Sequence, residues 1–118
     1  MKIYDYETFE IKNLEDINFI QKKYPNGTVN FLHKYNSLVW QGPLYAQILN
    51  EILSKKNYNY IVELGNNIGL SLALIKLQIK VFAIDKSTMS KNFNGILSIA
   101  KKEKVKILLM NKLRVKEI

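Results

Sequence analysis

Tyr60-Ile61-Val62-Glu63-Leu64-Gly65-Asn66-Asn67-Ile68-Gly69-Leu70, followed by Val81-Phe82-Ala83-Ile84-Asp85, decides the fold of this 118-residue chain. Residues 59–64 are a nearly continuous apolar run, as a strand covered on both faces requires. Gly65 then breaks the run. Residues 68–77 are apolar on most sides and predict a deeply packed helix. Residues 80–84 form a second apolar strand that ends in the carboxylate of Asp85. A strand, a helix and a second strand of this kind imply a right-handed crossover between parallel neighbours.

Working outward, the same alternation continues. Ser87 or Ser90 is placed to cap a helix in which Phe93, Ile96, Leu97 and Ala100 keep helical spacing. Residues 105–110 read as another strand, and residues 112–118 as a basic, peripheral tail. On the N-terminal side, residues 2–11 predict a strand of mixed polarity at a sheet edge. Asn13 caps a helix with Glu15 and Asp16 in its first turn and Lys22 and Lys23 in its last, where the helix dipole favours each charge. Pro25-Asn26-Gly27 predicts a turn. Val29, Phe31, His33 and Tyr35 alternate as in a strand, and Leu38-Val39-Trp40 reads as its hairpin partner. Pro43 suits the first position of a helix carrying Leu44, Ile48, Leu49 and Ile52 on one stripe.

These elements predict an α/β fold: one three-layer domain over residues 1–118, with helices on both faces of a mainly parallel sheet of about five strands. Rossmann-like βαβ units fill residues 59–111, and an aromatic-rich part covers 1–58, with an edge strand or hairpin. Eleven of the thirteen aromatic residues lie in residues 1–60.

Composition narrows the chemistry. Apolar residues make up 47% of the chain, enough for a packed core, and there is no cysteine. Disulfides, thiolate metal sites and cysteine nucleophiles are excluded, and a reducing cytoplasm is the expected compartment. No apolar run approaches the ~18 residues of a membrane span, and the first residues lack the apolar region of a signal peptide. Charge is uneven: residues 1–20 carry a net −3, and residues 76–118 a net +8, equal to the formal charge of the whole chain.

The glycine turn is the leading site candidate. Glycines there let backbone approach a ligand, and a helix N-terminus offers free N–H groups. The pattern Glu63-x-Gly65-x-Asn67-x-Gly69 resembles the first motif of class I S-adenosylmethionine-dependent methyltransferases, an acidic residue followed by Gly-x-Gly-x-Gly, with Asn67 at the place of the middle glycine. The resemblance covers residues 59–85. It implies a Rossmann-like fold and S-adenosylmethionine or another nucleotide as ligand, held by Glu63, Gly65, Asn67 and Gly69. Asp85 would stand where that family binds ribose hydroxyls.

The remaining candidates read as structural. Ser71 falls inside an apolar helix rather than in a nucleophile elbow. His33 is the sole histidine and has no cysteine partner, so a hydrogen-bonded sheet position fits it better than a metal site. Lys101, Lys102, Lys104 and Lys106 form a basic cluster without interleaved arginine or aromatics, which favours a solvated helix end over nucleic-acid contact. The segment around Trp40 and Tyr45 is either an intramolecular cover, the reading we favour, or a self-association seam. No catalytic residue emerges. The sequence therefore predicts a small non-catalytic binding domain with a small nucleotide-like ligand at the Gly65–Gly69 turn. The alternatives are a reduced methyltransferase-like protein that binds S-adenosylmethionine, and a protein- or nucleic-acid-binding module using the lysine-rich half.

Overall fold

The alternation of strands and helices holds along the chain. In the computed structural model, residues 2–25, 29–56, 58–65, 67–85 and 93–116 are described. The strands are β1 (Glu7–Ile11), β2 (Val29–His33), β3 (Asn59–Glu63), β4 (Val81–Ile84), β5 (Lys106–Leu109) and β6 (Arg114–Lys116). Between them lie α1 (Leu14–Lys23), α2 (Tyr35–Gln41), α3 (Pro43–Lys55), α4 (Ile68–Lys76) and α5 (Phe93–Glu103). Short 3-10 helices occupy Lys2–Asp5 and Met110–Lys112. The caps follow from local chemistry. Asn13 accepts the Asp16 N–H at 3.0 Å, and Pro43 opens α3 where an N–H would have no partner. The turn predicted at 25–27 and the caps predicted at Ser87 and Ser90 lie at least partly outside the described residues.

All six strands are parallel, in the order β5-β4-β3-β2-β1-β6. From β1 to β5 the chain steps in one direction only. Crossovers of one hand then place their helices on one face. The main core shows this: Ile17 and Ile20 of α1, Leu38 of α2, Leu49 and Leu53 of α3, and Leu74 of α4 join Phe31, Val62 and Phe82 of the sheet. The opposite face carries Leu32, Ile61, Ala83 and Leu108, covered by Ile3 and Leu113. Both faces are thus covered, unequally: among the described residues, five α-helices lie on one and two 3-10 segments on the other.

The last strand curls the sheet. In a flat sheet β6 would lie five strand spacings from β5, about 24 Å. The chain from Leu109 to Arg114 reaches about 18 Å fully extended. The two ends of the sheet must therefore bend towards each other. A hydrogen bond ties the β5 end to the chain ahead of β1, the Leu109 N–H donating to Tyr4 Oη at 2.9 Å, while Arg114 Nη1 donates to the Asp5 carbonyl at 3.4 Å within the β1–β6 end.

Three sequence expectations change here. β1 is not an edge strand, because β6 pairs along it (Glu7↔Arg114, Phe9↔Lys116). Residues 114–116 are therefore a paired strand and not part of a peripheral tail. Nor is there a hairpin at Leu38–Trp40: that stretch is helical in α2, and Leu38 alone turns into the core.

Candidate functional site

Strands β3 and β4 lie side by side and parallel, with Val62 opposite Phe82 and Glu63 opposite Ala83. The Leu64 N–H donates to the Ala83 carbonyl at 3.1 Å. Gly65, one residue on, and Asp85, two residues on, therefore emerge at the same carboxyl edge. Asp85 is exposed. The N-terminus of α4 rises from this edge too, so the residues singled out in the sequence do converge.

The side chains of Glu63 and Asn67 are engaged inside the fold. Gly65 has φ 60°, a left-handed conformation that suits glycine. A Cβ there would stand 3.1–3.2 Å from the Tyr35 ring. Tyr35 thus packs over the turn from the β2 side. Glu63 Oε1 accepts the Tyr35 N–H at 2.9 Å, and Oε2 lies 3.5 Å from Lys34 Nζ. The carboxylate thereby caps the start of α2, where the helix dipole favours negative charge. Asn67 is extended, with φ −115°. Its Oδ1 accepts the Leu70 N–H at 2.9 Å, and its Nδ2 donates to Tyr35 Oη at 3.3 Å. Gly69 is exposed, and a Cβ there would meet only Asn67 Oδ1 at 3.5 Å, an ordinary contact.

A second polar cluster was only partly legible. His33, at the end of β2, is fully buried. Its Nδ1 lies 2.6 Å from Tyr60 Oη, and its Nε2 2.7 Å from Gln41 Oε1. Gln41 Nε2 in turn donates to the Lys12 carbonyl. The Gln41 amide oxygen only accepts, so Nε2 carries the proton and Nδ1 accepts from Tyr60. Burial depresses the His33 pKa, partly offset by the bond to Gln41. Burial, with a smaller effect of Tyr45, raises that of Tyr60. The pattern is a neutral network that fastens the end of α2 to β1 and β2. The sheet role expected for His33 holds. Its partner Gln41 carried no signal, because long-range folding alone brings it near. Ser71 donates to the Ile68 carbonyl at 2.6 Å within α4, as a buried helix serine does.

The aromatic segment divides. Tyr45 faces inward: its hydroxyl accepts the Leu14 N–H at 3.0 Å, and its ring lies 6.4 Å from that of His33. Trp40 does the opposite and is 90% exposed, so the intramolecular cover expected of it is not formed. Near it are Val39 at 53%, Leu44 at 69% and Ile48 at 52%. Trp40 and Leu44 flank the Gly42-Pro43 corner between α2 and α3, and Ile48 continues the stripe one turn along α3. Residues 35–50 contain no charged side chain.

Among the described residues there is no group of three or more His, Asp or Glu side chains able to hold a metal ion. No helix among them is long and apolar enough to cross a membrane. Comparison with protein-family models, curated proteins and solved structures finds no match to this chain.

Proposed function

We propose that this chain is a non-catalytic binding domain of the cytoplasm that acts as a dimer, with the Trp40 corner as the seam. One observation carries the reading: the only tryptophan is almost wholly exposed, among apolar neighbours, in a charge-free stretch. Tryptophan is enriched at interface hot spots, and interface centres are depleted of charge. Trp40, Leu44, Val39 and Ile48 together expose on the order of 500 Å², taking ~200 Å² for a large side chain. Two copies would bury about 1,000 Å², the lower bound of a specific interface. A second copy suits the patch, because a neutral surface lets molecules of net +8 meet without local repulsion.

Trp40 is its own reporter. On dimer formation its emission shifts to shorter wavelength, and the sedimentation mass doubles, as concentration rises to hundreds of micromolar. Trp40→Ala abolishes the mass change. A monomer with fully solvated emission at 500 μM sinks the reading.

A second reading places a small nucleotide-like ligand, S-adenosylmethionine among the candidates, at the mouth formed by Gly65, Gly69 and Asp85. The parallel pairing of β3 and β4 favours it, since it aligns these residues at one carboxyl edge. The ring of Tyr35 over Gly65 confines the ligand to the Asp85 side. Calorimetry decides: an affinity lost in Asp85→Ala supports this reading, and no heat at millimolar S-adenosylmethionine or adenosine rejects it.

A further inference from the structure

In a parallel sheet with sequential order, each helix ends where the next strand begins, so the helix C-termini gather at the amino edge. Here they bring lysines. The last turn of α1 carries Lys22 and Lys23; Lys55 ends α3, with Lys56 just beyond. Lys76 ends α4, and Lys80 precedes β4. Lys101 and Lys102 lie at the end of α5, followed by Lys104 and by Lys106 at the start of β5. All ten are exposed.

Hydrogen bonds link these segments into one edge. Tyr58 Oη, ahead of β3, donates to the Tyr24 carbonyl after α1 at 2.6 Å. Asn50 Nδ2 of α3 donates to the Gln78 carbonyl at 3.5 Å, and the Lys106 N–H to the Lys80 carbonyl at 2.9 Å. Against these ten lysines stand Glu103 and, one turn before Lys55, Glu51, so the edge carries a net +8, equal to the formal charge of the whole chain. Among the described residues the ion pairs are Lys34–Glu63 and Lys116–Glu7, and no lysine of this edge is in either. The sign changes only at β1, with Asp5 and Glu7. Helix dipoles account for cations in last turns. They do not account for Lys80, Lys104 and Lys106, which lie outside the helices.

We infer that this amino edge binds the phosphate backbone of duplex nucleic acid without reading its sequence. Lysine is a point charge for phosphates, whereas base reading leans on arginine forks, and from β2 to β5 this edge has no arginine, Arg114 standing apart at the start of β6. Single strands need aromatic platforms. The edge tyrosines do not supply them, since buried Tyr58 is tied to Tyr24, while Phe19 lies under Lys23 Nζ, 4.9 Å from the ring centroid. A membrane surface calls for apolar side chains inserted beside the lysines. The exposed hydrophobics nearest these lysines, Phe19 and Leu97, stand one turn back along α1 and α5, and none lies in residues 54–56, 76–80 or 101–106. From β2 to β5 the edge runs about 15 Å, which matches about four phosphates of one strand.

The test is fluorescence anisotropy of a labelled 20-base-pair DNA duplex of mixed sequence, titrated with the full chain from 50 to 300 mM KCl. Micromolar binding is expected at 50 mM, with a log–log salt slope near −4, and a second, unrelated duplex should bind within twofold. Lys55→Gln/Lys56→Gln/Lys80→Gln should weaken binding at least tenfold and flatten the slope by about 3. Lys12→Gln, at the carboxyl end of β1 and so outside the edge, should stay within twofold, with unchanged circular dichroism for both variants. The inference is overturned by no binding at 100 μM protein in 50 mM KCl, by a slope shallower than −2, by equal losses in the two variants, or by tighter binding to vesicles with 30% phosphatidylserine than to the duplex.

Discussion

Replacing Gly65 and Gly69 by alanine, one at a time, should move stability in opposite directions. At Gly65 the backbone sits at φ 60°, which costs an L-residue about 1–2 kcal/mol. The added Cβ would also press on three atoms of the Tyr35 ring at 3.1–3.2 Å. That ring cannot swing away freely, because its hydroxyl is held by Asn67 and its backbone N–H by Glu63. The combined loss should be about 2–3 kcal/mol. At Gly69 the new methyl meets only Asn67 Oδ1 at 3.5 Å, inside α4. Alanine there should stabilise the helix by up to ~1 kcal/mol. The two variants should therefore differ by about 3 kcal/mol, or roughly 10 °C in melting temperature for a domain of this size. Urea unfolding followed by far-ultraviolet circular dichroism measures it. If Gly65→Ala proved as stable as the parent chain, or Gly69→Ala less stable, the account of this turn would be wrong.

Two further outcomes follow from the polar contacts. Because burial depresses the His33 pKa in the folded state, the unfolded chain binds the extra proton first. Stability should therefore be full above about pH 6.5 and fall as pH drops towards the folded value, by at most ~1.4 kcal/mol per pH unit; unfolding curves from pH 7.5 to 5.0 read this, and His33→Gln should remove the slope in that window. Glu63→Ala should cost about 1 kcal/mol by uncapping α2, whereas Glu63→Gln, which keeps an acceptor for the Tyr35 N–H, should cost less; thermal melts that ranked them the other way would refute the capping role.

Much of this protein was legible in its order of residues. The apolar runs at 59–64 and 80–84, with a helical repeat between them, announced β3, α4 and β4, because burial on two faces leaves a continuous apolar signature. Asn13 and Pro43 announced two helix starts, since caps are local chemistry. The convergence of Gly65 and Asp85 at one edge followed from the same local pattern. What lay beyond it depended on distant partners. Arg114-Val115-Lys116 has no pattern of its own and is a strand because β1 offers it an edge. Residues 35–41 alternate weakly, yet they coil, because Glu63, 28 residues away from Tyr35, caps the first turn. The lysines of α1, α3, α4 and α5 are scattered along the chain. They share one edge only because a parallel sheet built in sequential order stacks every helix end on the same side. Composition and periodicity determined which segments fold as strand or helix; tertiary structure alone decided which charges and apolar side chains stand together, because proximity across the sheet is set by pairing and not by distance along the chain.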